Sequence, residues 1–419
     1  MKAFFRMLSP AILRPNLAAL LVATGALAAT SCTGDPVVEV EYAPYDGEAF
    51  PDQVLPVAWP AGPAGLVTDA YGDTLSVIDM ASGARVDVRP VGRSPVDLDG
   101  PHHVAVDPVG RRAFVALSYP VVGAAGPHAS HGASTATGWV QRLDLDKLVP
   151  AGVVRVDANP GDIVISADGS RVVVSHFDLK RAVANPDDLE KARATIAVIP
   201  ADGVRPTGSD PPTFIKTCVA PHGVLLSPPS GETAFVACYG EDSLSIVDTT
   251  NPSAPVVRVP VGAGVSGFGD PQYGPYALTM SPDGELIAIS NTVSKDVRFY
   301  GVDEGAMEDA KTIDVQGAPY FSAFDAPDRL VIPTQQPDQL VVADLTGQTA
   351  PVTRAFTPEE CVLPHQVVRA DDGTFWVVCE GDKVLPGSIL HLSAALEVLS
   401  TAAVGVYPDS FVIVPPVTP

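Results

Sequence analysis

Basic residues are scarce in this chain of 419 residues: 26 lysines and arginines stand against 49 aspartates and glutamates, a formal net charge of −23. So acidic a surface repels nucleic acid and anionic lipid headgroups, which excludes both as charge-driven partners. The sequence also has no GxSxG elbow, no CxxCH haem attachment site and no glycine loop that would cradle phosphate. After the first thirty residues, no stretch is long and apolar enough to cross a bilayer.

The N-terminal segment has the layout of an export signal. Three basic residues precede an apolar run from Leu17 to Ala29, and small residues follow. The run ends in ATSC, which resembles a bacterial lipoprotein box with Cys32 as the lipidated residue. We therefore expect a signal peptide over 1–31, then a lipid anchor and a proline-rich, acidic tether over 32–63. The mature chain is expected to be a monomer of the bacterial envelope, on the outer membrane facing the periplasm or the cell surface, touching membrane only through its anchor.

A stretch of about ten residues recurs along the rest of the chain, as in PYALTMSPDG at 275–284 and PHQVVRADDG at 364–373. Each copy joins a proline, a short apolar run and a tight turn, which is typical of a strand entered from a loop. The copies recur at intervals of roughly 40–60 residues and hold about four short strands each, the period of a β-propeller blade. We call the prolines that begin them the marker prolines: Pro101, Pro160, Pro221, Pro275, Pro319, Pro364 and Pro408.

The two ends of the repeat region complement each other. The first unit lacks an innermost strand, and the last marker proline leads into a strand over 409–414 that has no blade of its own. Docked beside residues 65–69, that strand completes four strands and leaves no unpaired edge. The sequence therefore predicts an all-β fold, a seven-bladed propeller of four-stranded blades over 64–414, followed by a tail over 415–419.

Three segments carry a resemblance to a known family. DTLSVID at 73–79, DSLSIVD at 242–248 and SPDGE at 281–285 resemble the repeats of the YVTN-repeat β-propellers, the family that includes YncE-like proteins, here in a bacterial lipoprotein form. The resemblance spans nearly all of 64–414 and implies the propeller fold. It leaves the activity open, because relatives include binding proteins, lactone hydrolases and haem-carrying propellers.

Four cysteines follow Cys32, and their contexts match in pairs. CVAPHG is followed by FVACYGED, and CVLPHQ is followed by WVVCEGDK. An even set of cysteines in an exported chain predicts disulfides. Because the same arrangement occurs twice, we expect Cys218 to pair with Cys238 and Cys361 with Cys379.

The residue after each marker proline is expected to ring the mouth of the central channel. We call the face at which the innermost strands begin the top face. The predicted ligand or partner face consists of Asp162 and the ring residues His102, His222, Tyr276, Tyr320, His365 and Asp409. Imidazole is a common ligand of Zn and Cu, so the histidines of the top face also predict a metal site. Its ligands would be His102, His103, His128, His131 and His176.

A plainer interpretation of these histidines is that Pro-His simply starts a propeller strand and that a glycine-rich loop with two histidines is solvated. The segment DDLEKARAT at 187–195 predicts a short helix that caps the top face.

We expect a binding or scaffolding module without catalysis, which holds an envelope protein or a small ligand. The alternatives are a metal- or cofactor-dependent redox protein or enzyme with its site at the top of the channel, and a lactonase-like hydrolase.

Overall fold

The computed structural model describes residues 56–416, apart from 95, 124–131, 263–266, 269–270, 309–310 and 348–350. Nearly all of the regular secondary structure in the described chain is β-strand, in seven antiparallel sheets of a seven-bladed β-propeller. No helix in this part of the chain is long and apolar enough to span a membrane.

The first four blades contain strands β1 to β15. Blade 1 begins with β1 (Ala64–Asp69), β2 (Thr74–Asp79) and β3 (Ala84–Pro90). Blade 2 contains β4 (Pro101–Asp107), β5 (Arg112–Leu117), β6 (Trp139–Asp144) and β7 (Val149–Arg155). Blade 3 contains β8 (Pro160–Ile165), β9 (Arg171–His176), β10 (Arg193–Pro200) and β11 (Thr213–Val219). Blade 4 contains β12 (Pro221–Leu226), β13 (Thr233–Cys238), β14 (Ser243–Asp248) and β15 (Val257–Pro260).

The last three blades include two interrupted strands. Blade 5 contains β16 (Pro275–Met280), β17 (Leu286–Asn291), β18 (Asp296–Gly301) and an outer strand broken into β19 (Ala306–Met307) and β20 (Ile313–Asp314). Blade 6 has a broken inner strand, β21 (Ala318–Pro319) and β22 (Ala323–Ala326), then β23 (Arg329–Gln335), β24 (Gln339–Asp344) and β25 (Val352–Ala355). Blade 7 contains β26 (Pro364–Arg369), β27 (Phe375–Cys379), β28 (Pro386–Leu392) and β29 (Val398–Val406).

The inner strands are apolar on both sides because each blade packs between two others. In β5, Val115 packs in one core with Leu66 of blade 1, whereas the next side chain back, Phe114, packs with Val172 of blade 3. The same alternation gives seven apolar clusters, one between each pair of neighbouring blades. Burial of these side chains is the main stabilising contribution to the ring.

The predicted closure is confirmed. The last strand, β30 (Pro408–Val414), pairs antiparallel with β1, with Val414 opposite Ala64 and Phe411 opposite Val67. Blade 1 therefore has the order β3-β2-β1-β30 and joins the two ends of the described chain. The closure also brings Asp409, from the end of the sequence, into the channel beside residues of blades 2 and 7.

The backbone conformation at the start of the innermost strands directs side chains into the channel. The residue before a marker proline has positive φ at Gly100, Asn159, Ala220, Gly274, Leu363 and Tyr407. The strand register then shifts directly after the proline in blades 2, 3, 4, 5 and 7. Such bulges re-aim side chains and are common beside functional sites.

Two short helices between β9 and β10 cap the channel. They are α1 (Leu179–Ala184) and α2 (Leu189–Ala192), each with an aspartate side chain accepting from a backbone N–H of its first turn. The sequence predicted a helix over 187–195, but α2 ends at Ala192 because the following residues form β10. Helix α1 was not predicted. Both helices pack in one apolar cluster with the tyrosines of the channel mouth, as expected of a cap.

Both predicted disulfides are present. Cys218 is bonded to Cys238 and Cys361 to Cys379, with Cα atoms 5.8 and 5.3 Å apart. Each bond joins the segment that leads into a blade to the end of that blade's second strand, so both brace the top face.

Candidate active site

The residues after the marker prolines form a closed ring around the channel. His102 Nδ1 donates to the carbonyl oxygen of Gly161 at 2.9 Å, and His102 Nε2 lies 2.5 Å from Asp409 Oδ2. From blade 4 onward the contacts are between rings: His222 stacks on Tyr276 with centroids 3.8 Å apart, and Tyr320 lies between Tyr276 and His365 at 5.4 and 5.1 Å. The structure thus brings all predicted ring residues together. Their role in binding stays a prediction.

We call one side of this ring, with its immediate neighbours, the polar arc: His102, His103, Asp162, His365, Glu380 and Asp409. Every one of these side chains is buried. At the centre, His365 Nδ1 donates to the backbone oxygen of Asp409 at 2.7 Å and lies 2.9 Å from its Oδ1. Because Nδ1 of His102 already donates to a carbonyl, its short Nε2 contact with Asp409 requires a proton between the two groups.

In this cluster, charge pairing and burial shift the pKa values in opposite directions. Burial raises the pKa of Asp409, but the charges of His102 and His365 and their hydrogen bonds outweigh it and hold that pKa well below its usual range. Burial lowers the pKa of His365, and the charge and hydrogen bonds of Asp409 reverse this, so its pKa is raised. Within this pair the proton therefore resides on His365 and the negative charge on Asp409.

The pKa of His103 is shifted in the direction opposite to that of His365. Its Nδ1 donates to Asp162 Oδ1 at 2.8 Å, and that carboxylate is itself fixed by the backbone N–H groups of Ile163 and Val224, each at 2.9 Å. Burial and then the neighbouring His102 lower the pKa of His103, despite the nearby carboxylates. Among the described residues, Nε2 of His103 has no hydrogen-bond partner. A neutral, oriented imidazole with its second nitrogen in the channel is equipped to accept a proton.

The ring position in blade 3 is occupied by Gly161, because a side chain would not fit there. A Cβ atom there would lie 2.9 Å from Ser175 Oγ and 3.2 Å from His222 Cδ2. The glycine therefore lets the backbone of blade 3 approach the ring closely enough for its carbonyl oxygen to accept from His102.

We call the other side of the ring the aromatic arc: Phe177, His222, Tyr276, Tyr320 and Phe321. Phe177 comes from the segment before α1 and lies edge-on to His222, with centroids 5.0 Å apart. Burial, and after it the charge of neighbouring acidic groups, raises the pKa of Tyr276 and of Tyr320 well above the ordinary value. Both phenols are therefore neutral hydrogen-bond donors at any physiological pH.

A cavity of about 110 Å³ lies where the cap meets the aromatic arc. Its lining comes from the cap, the loops of blades 4 and 5, the start of blade 6 and the aromatic arc: Phe177, Leu179, Tyr239, Tyr276, Thr292, Val293, Ala318 and Tyr320. The tyrosine floor of this cavity is in direct ring contact with His222 and His365. The cavity therefore adjoins the histidine cluster.

Sequence reasoning missed Glu380. Its carboxylate is fully buried, accepts from Gln335 Nε2 at 3.2 Å and lies 2.9 Å from the ammonium of Lys383. The signal was its position directly after Cys379, since that cysteine is held against the start of blade 7. The pairing of His103 with Asp162 was missed as well, because the two belong to different blades.

Two groups of side chains have the spacing of metal ligands. His102, His103 and Asp409 each offer one atom within 4.8 Å of the others, and so do His365, Glu380 and Asp409. The first group suits Zn or Cu, since it combines two imidazoles with a carboxylate. The second fits a cation poorly, because the Lys383 ammonium already lies 2.9 Å from Glu380.

His176, another member of the predicted metal set, does not join this cluster. His176 has Nδ1 2.8 Å from the backbone oxygen of Thr195, and its Nε2 accepts from the backbone N–H of Asp157 at 3.2 Å. Those contacts are structural, and none of the candidate metal groups in the described chain includes His176. His128 and His131 lie outside the described residues.

Comparisons with known proteins agree on the fold. No family model and no curated protein sequence matches the chain. The solved structures that match include the periplasmic gluconolactonase of Pseudomonas aeruginosa, with 17% identity and a TM-score of 0.59 over 84% of this chain and 99% of the other. A putative 6-phosphogluconolactonase from Bacteroides uniformis matches at 14% identity, with a TM-score of 0.57 over 84% of this chain and all of the other. At such identities the likeness shows the seven-bladed propeller, and membership of the YncE-like family stays a prediction.

The comparisons correct the predicted function. Three of the matched propellers are named as a gluconolactonase or as putative 6-phosphogluconolactonases. They favour the lactonase-like alternative, so the prediction of a binding or scaffolding module without catalysis is wrong. The buried acid and histidine cluster is in keeping with this correction, because perturbed titratable groups concentrate at catalytic sites.

Proposed function

We propose that this protein is a hydrolase that opens cyclic esters, with the polar arc as its catalytic site. The observation that carries the proposal is the pairing of a neutral base, His103 held by Asp162, with an acid, His365 held protonated by Asp409. Their rings lie close together, with centroids 6.1 Å apart. Two titratable groups whose environments push their pKa values in opposite directions mark acid and base assignments.

The first half of the reaction uses His103 and the tyrosines. Nε2 of His103 takes a proton from water as the water oxygen adds to the carbonyl carbon of the lactone. Negative charge then develops on the former carbonyl oxygen. The neutral hydroxyls of Tyr276 and Tyr320 are donors that stabilise such an oxyanion in a buried site.

The second half uses His365. When the tetrahedral intermediate collapses, the bond between the carbonyl carbon and the ring oxygen breaks, and the departing oxygen takes a proton from His365. The product is an open hydroxy acid. Asp409 holds His365 in its protonated form before this step, and the proton that His103 gained returns through solvent, which restores both residues.

Hydrolysis of δ-valerolactone, followed by pH-stat titration against the buffer rate, tests the proposal. We expect the wild-type domain to hydrolyse it and His103→Ala to lose roughly 10²–10⁴ of kcat/KM, the usual contribution of one general base. His391→Ala is the matched control, because His391 stacks on Trp376 away from the ring. A wild-type rate equal to the buffer rate, or equal rates in wild type and His103→Ala, would refute the proposed function.

A second candidate is a metal-dependent enzyme, favoured by the spacing of His102, His103 and Asp409. A Zn or Cu ion on these ligands would supply a Lewis acid or an activated water. We expect a bound metal to appear in elemental analysis of protein prepared without chelator, and added Zn to raise the melting temperature of wild type but not of His103→Ala. Absence of both effects removes this candidate.

We further propose that the chain is exported and lipid-anchored through Cys32 in the bacterial envelope. Support comes from the N-terminal sequence and from the two disulfides, which persist in oxidising compartments. Labelling of growing cells with a fatty-acid probe should mark the wild-type chain and not Cys32→Ser. Equal labelling of the two would contradict the anchor.

A further inference from the structure

The cavity beside the aromatic arc has a lining that selects by polarity. Phe177, Leu179, Val293 and Ala318 contribute only apolar surface. The remaining four lining residues carry hydroxyl groups, and that of Thr292 already donates to the backbone oxygen of Gly274 at 3.3 Å. Such a surface offers the phenol groups of three tyrosines and otherwise favours apolar contact.

No lysine, arginine or histidine is among the described residues that line this cavity. Recognition of a phosphate or carboxylate on a substrate ordinarily uses a cationic side chain, most often arginine. Lys383, a cation beside the polar arc, is paired with Glu380 at 2.9 Å and lies over the ring of Tyr407. The net charge of −23 on the chain also repels an anionic substrate.

The size of the cavity limits the substrate to one ring. A protein cavity of about 150 Å³ accommodates benzene, so this one, at about 110 Å³, takes only the alkyl part of a single ring. Several hydroxyl groups on such a ring would lose their bonds to water against phenylalanine, leucine and valine. Burial of a hydroxyl without a new hydrogen bond costs on the order of 1–3 kcal/mol.

We infer that the substrate is an uncharged monocyclic lactone with an alkyl body, not a sugar lactone and not a phosphorylated one. The inference rests on the proposed hydrolase function and names its substrate class. Leu179 is a specificity-determining residue, because it lines the cavity from the cap. The tyrosine hydroxyls receive the ester carbonyl, and the alkyl part of the ring packs against Leu179 and Val293.

The test is a comparison of kcat/KM on δ-hexalactone, glucono-δ-lactone and 6-phosphoglucono-δ-lactone. We expect the alkyl lactone to exceed each sugar lactone by roughly 10-fold or more, the range over which one apolar contact discriminates substrates. Leu179→Lys should lower the value for δ-hexalactone and raise that for the phosphorylated lactone. Leu399→Lys, on the exposed outer strand of blade 7, is the matched control and should change neither.

Different results would refute the inferred substrate class and the proposed hydrolase function. If a sugar lactone is the best substrate and its hydrolysis is lost in His103→Ala, the substrate class is wrong and the hydrolase function stands. If none of the three lactones is hydrolysed faster by wild type than by His103→Ala, the hydrolase function is wrong, and the inferred substrate class falls with it.

Discussion

The two sides of the channel ring are built from the same repeat position but are held together differently. In the polar arc, the carboxylates of Asp409 and Asp162 fix three imidazoles through polar contacts of 2.5 to 2.9 Å. In the aromatic arc, Tyr276 and Tyr320 are held by ring contacts and by the cap packed over them. One side can therefore move protons, while the other presents a hydrophobic surface with phenol donors.

We therefore expect the polar arc to serve the chemical step and the aromatic arc to serve substrate binding. Changes in the polar arc should alter the chemical step and destabilise the fold, because removing one member leaves a buried charge uncompensated. Changes in the aromatic arc should alter binding and cost less, because packing losses are partly recovered by neighbours. The following variants break or sharpen that contrast.

The largest effect is expected from ending the chain at Tyr407. This truncation removes β30, which takes Asp409 from the polar arc and the fourth strand from blade 1. We expect aggregation or loss of a cooperative melting transition, since an open edge and a broken core remain. Ending the chain at Val414 removes only residues beyond β30 and should melt as wild type does. Equal melting of the two truncations would show that the closure does not matter.

Asp409→Ala should separate the two arcs by stability. Loss of this buried carboxylate leaves His365 without its charge partner, and we expect a cost of about 3–5 kcal/mol in the free energy of unfolding. Tyr320→Phe, in the aromatic arc, removes one hydroxyl and should cost about 1 kcal/mol. Urea unfolding of both proteins measures the difference. Equal costs would contradict the contrast between the arcs.

The two disulfides provide a second, smaller contrast. The bonds close loops with sequence separations of 20 and 18, and each should contribute about 3 kcal/mol. Cys379 precedes Glu380 of the polar arc, whereas Cys238 precedes Tyr239 of the cavity. Cys361→Ala with Cys379→Ala should therefore lower mainly kcat, and Cys218→Ala with Cys238→Ala should raise mainly KM. The same kinetic change in both double variants would refute this assignment.

The smallest effect concerns a carboxyl outside both arcs. Burial raises the pKa of Asp69 to about 6, although Ser76, Thr74 and the backbone of Gly405 donate to it. Because its folded pKa lies above the ordinary value of 3.8, its contribution to stability is full below about pH 4 and is lost as pH rises through 6. Asp69→Asn should be more stable than wild type at pH 8, and the difference should close by pH 4. A difference independent of pH would contradict the raised pKa.

The features that could be predicted from the sequence are those that recur at the same position in each repeat. The marker prolines located the ring from His102 to Asp409, and the repeated cysteine contexts gave the two bonds, because each blade uses the same local geometry. The pairing of His103 with Asp162 and the burial of Glu380 depend on how closely different blades approach the axis. No local pattern encodes that distance. The prediction for His176 was wrong because its nitrogens contact the backbone of Asp157, in the connection that leads into its blade, and of Thr195 in the next strand, and backbone groups carry no sequence signal.

The pH dependence of kcat/KM for δ-valerolactone, in wild type and His103→Gln, tests the central claim most directly. The account predicts an acid limb in wild type whose apparent pKa lies below the ordinary histidine value of 6.5, because burial and His102 lower the pKa of His103. In His103→Gln the limb should be absent and the rate lower by roughly 10²–10⁴. The same limb and a similar rate in both proteins would show that His103 is not the base.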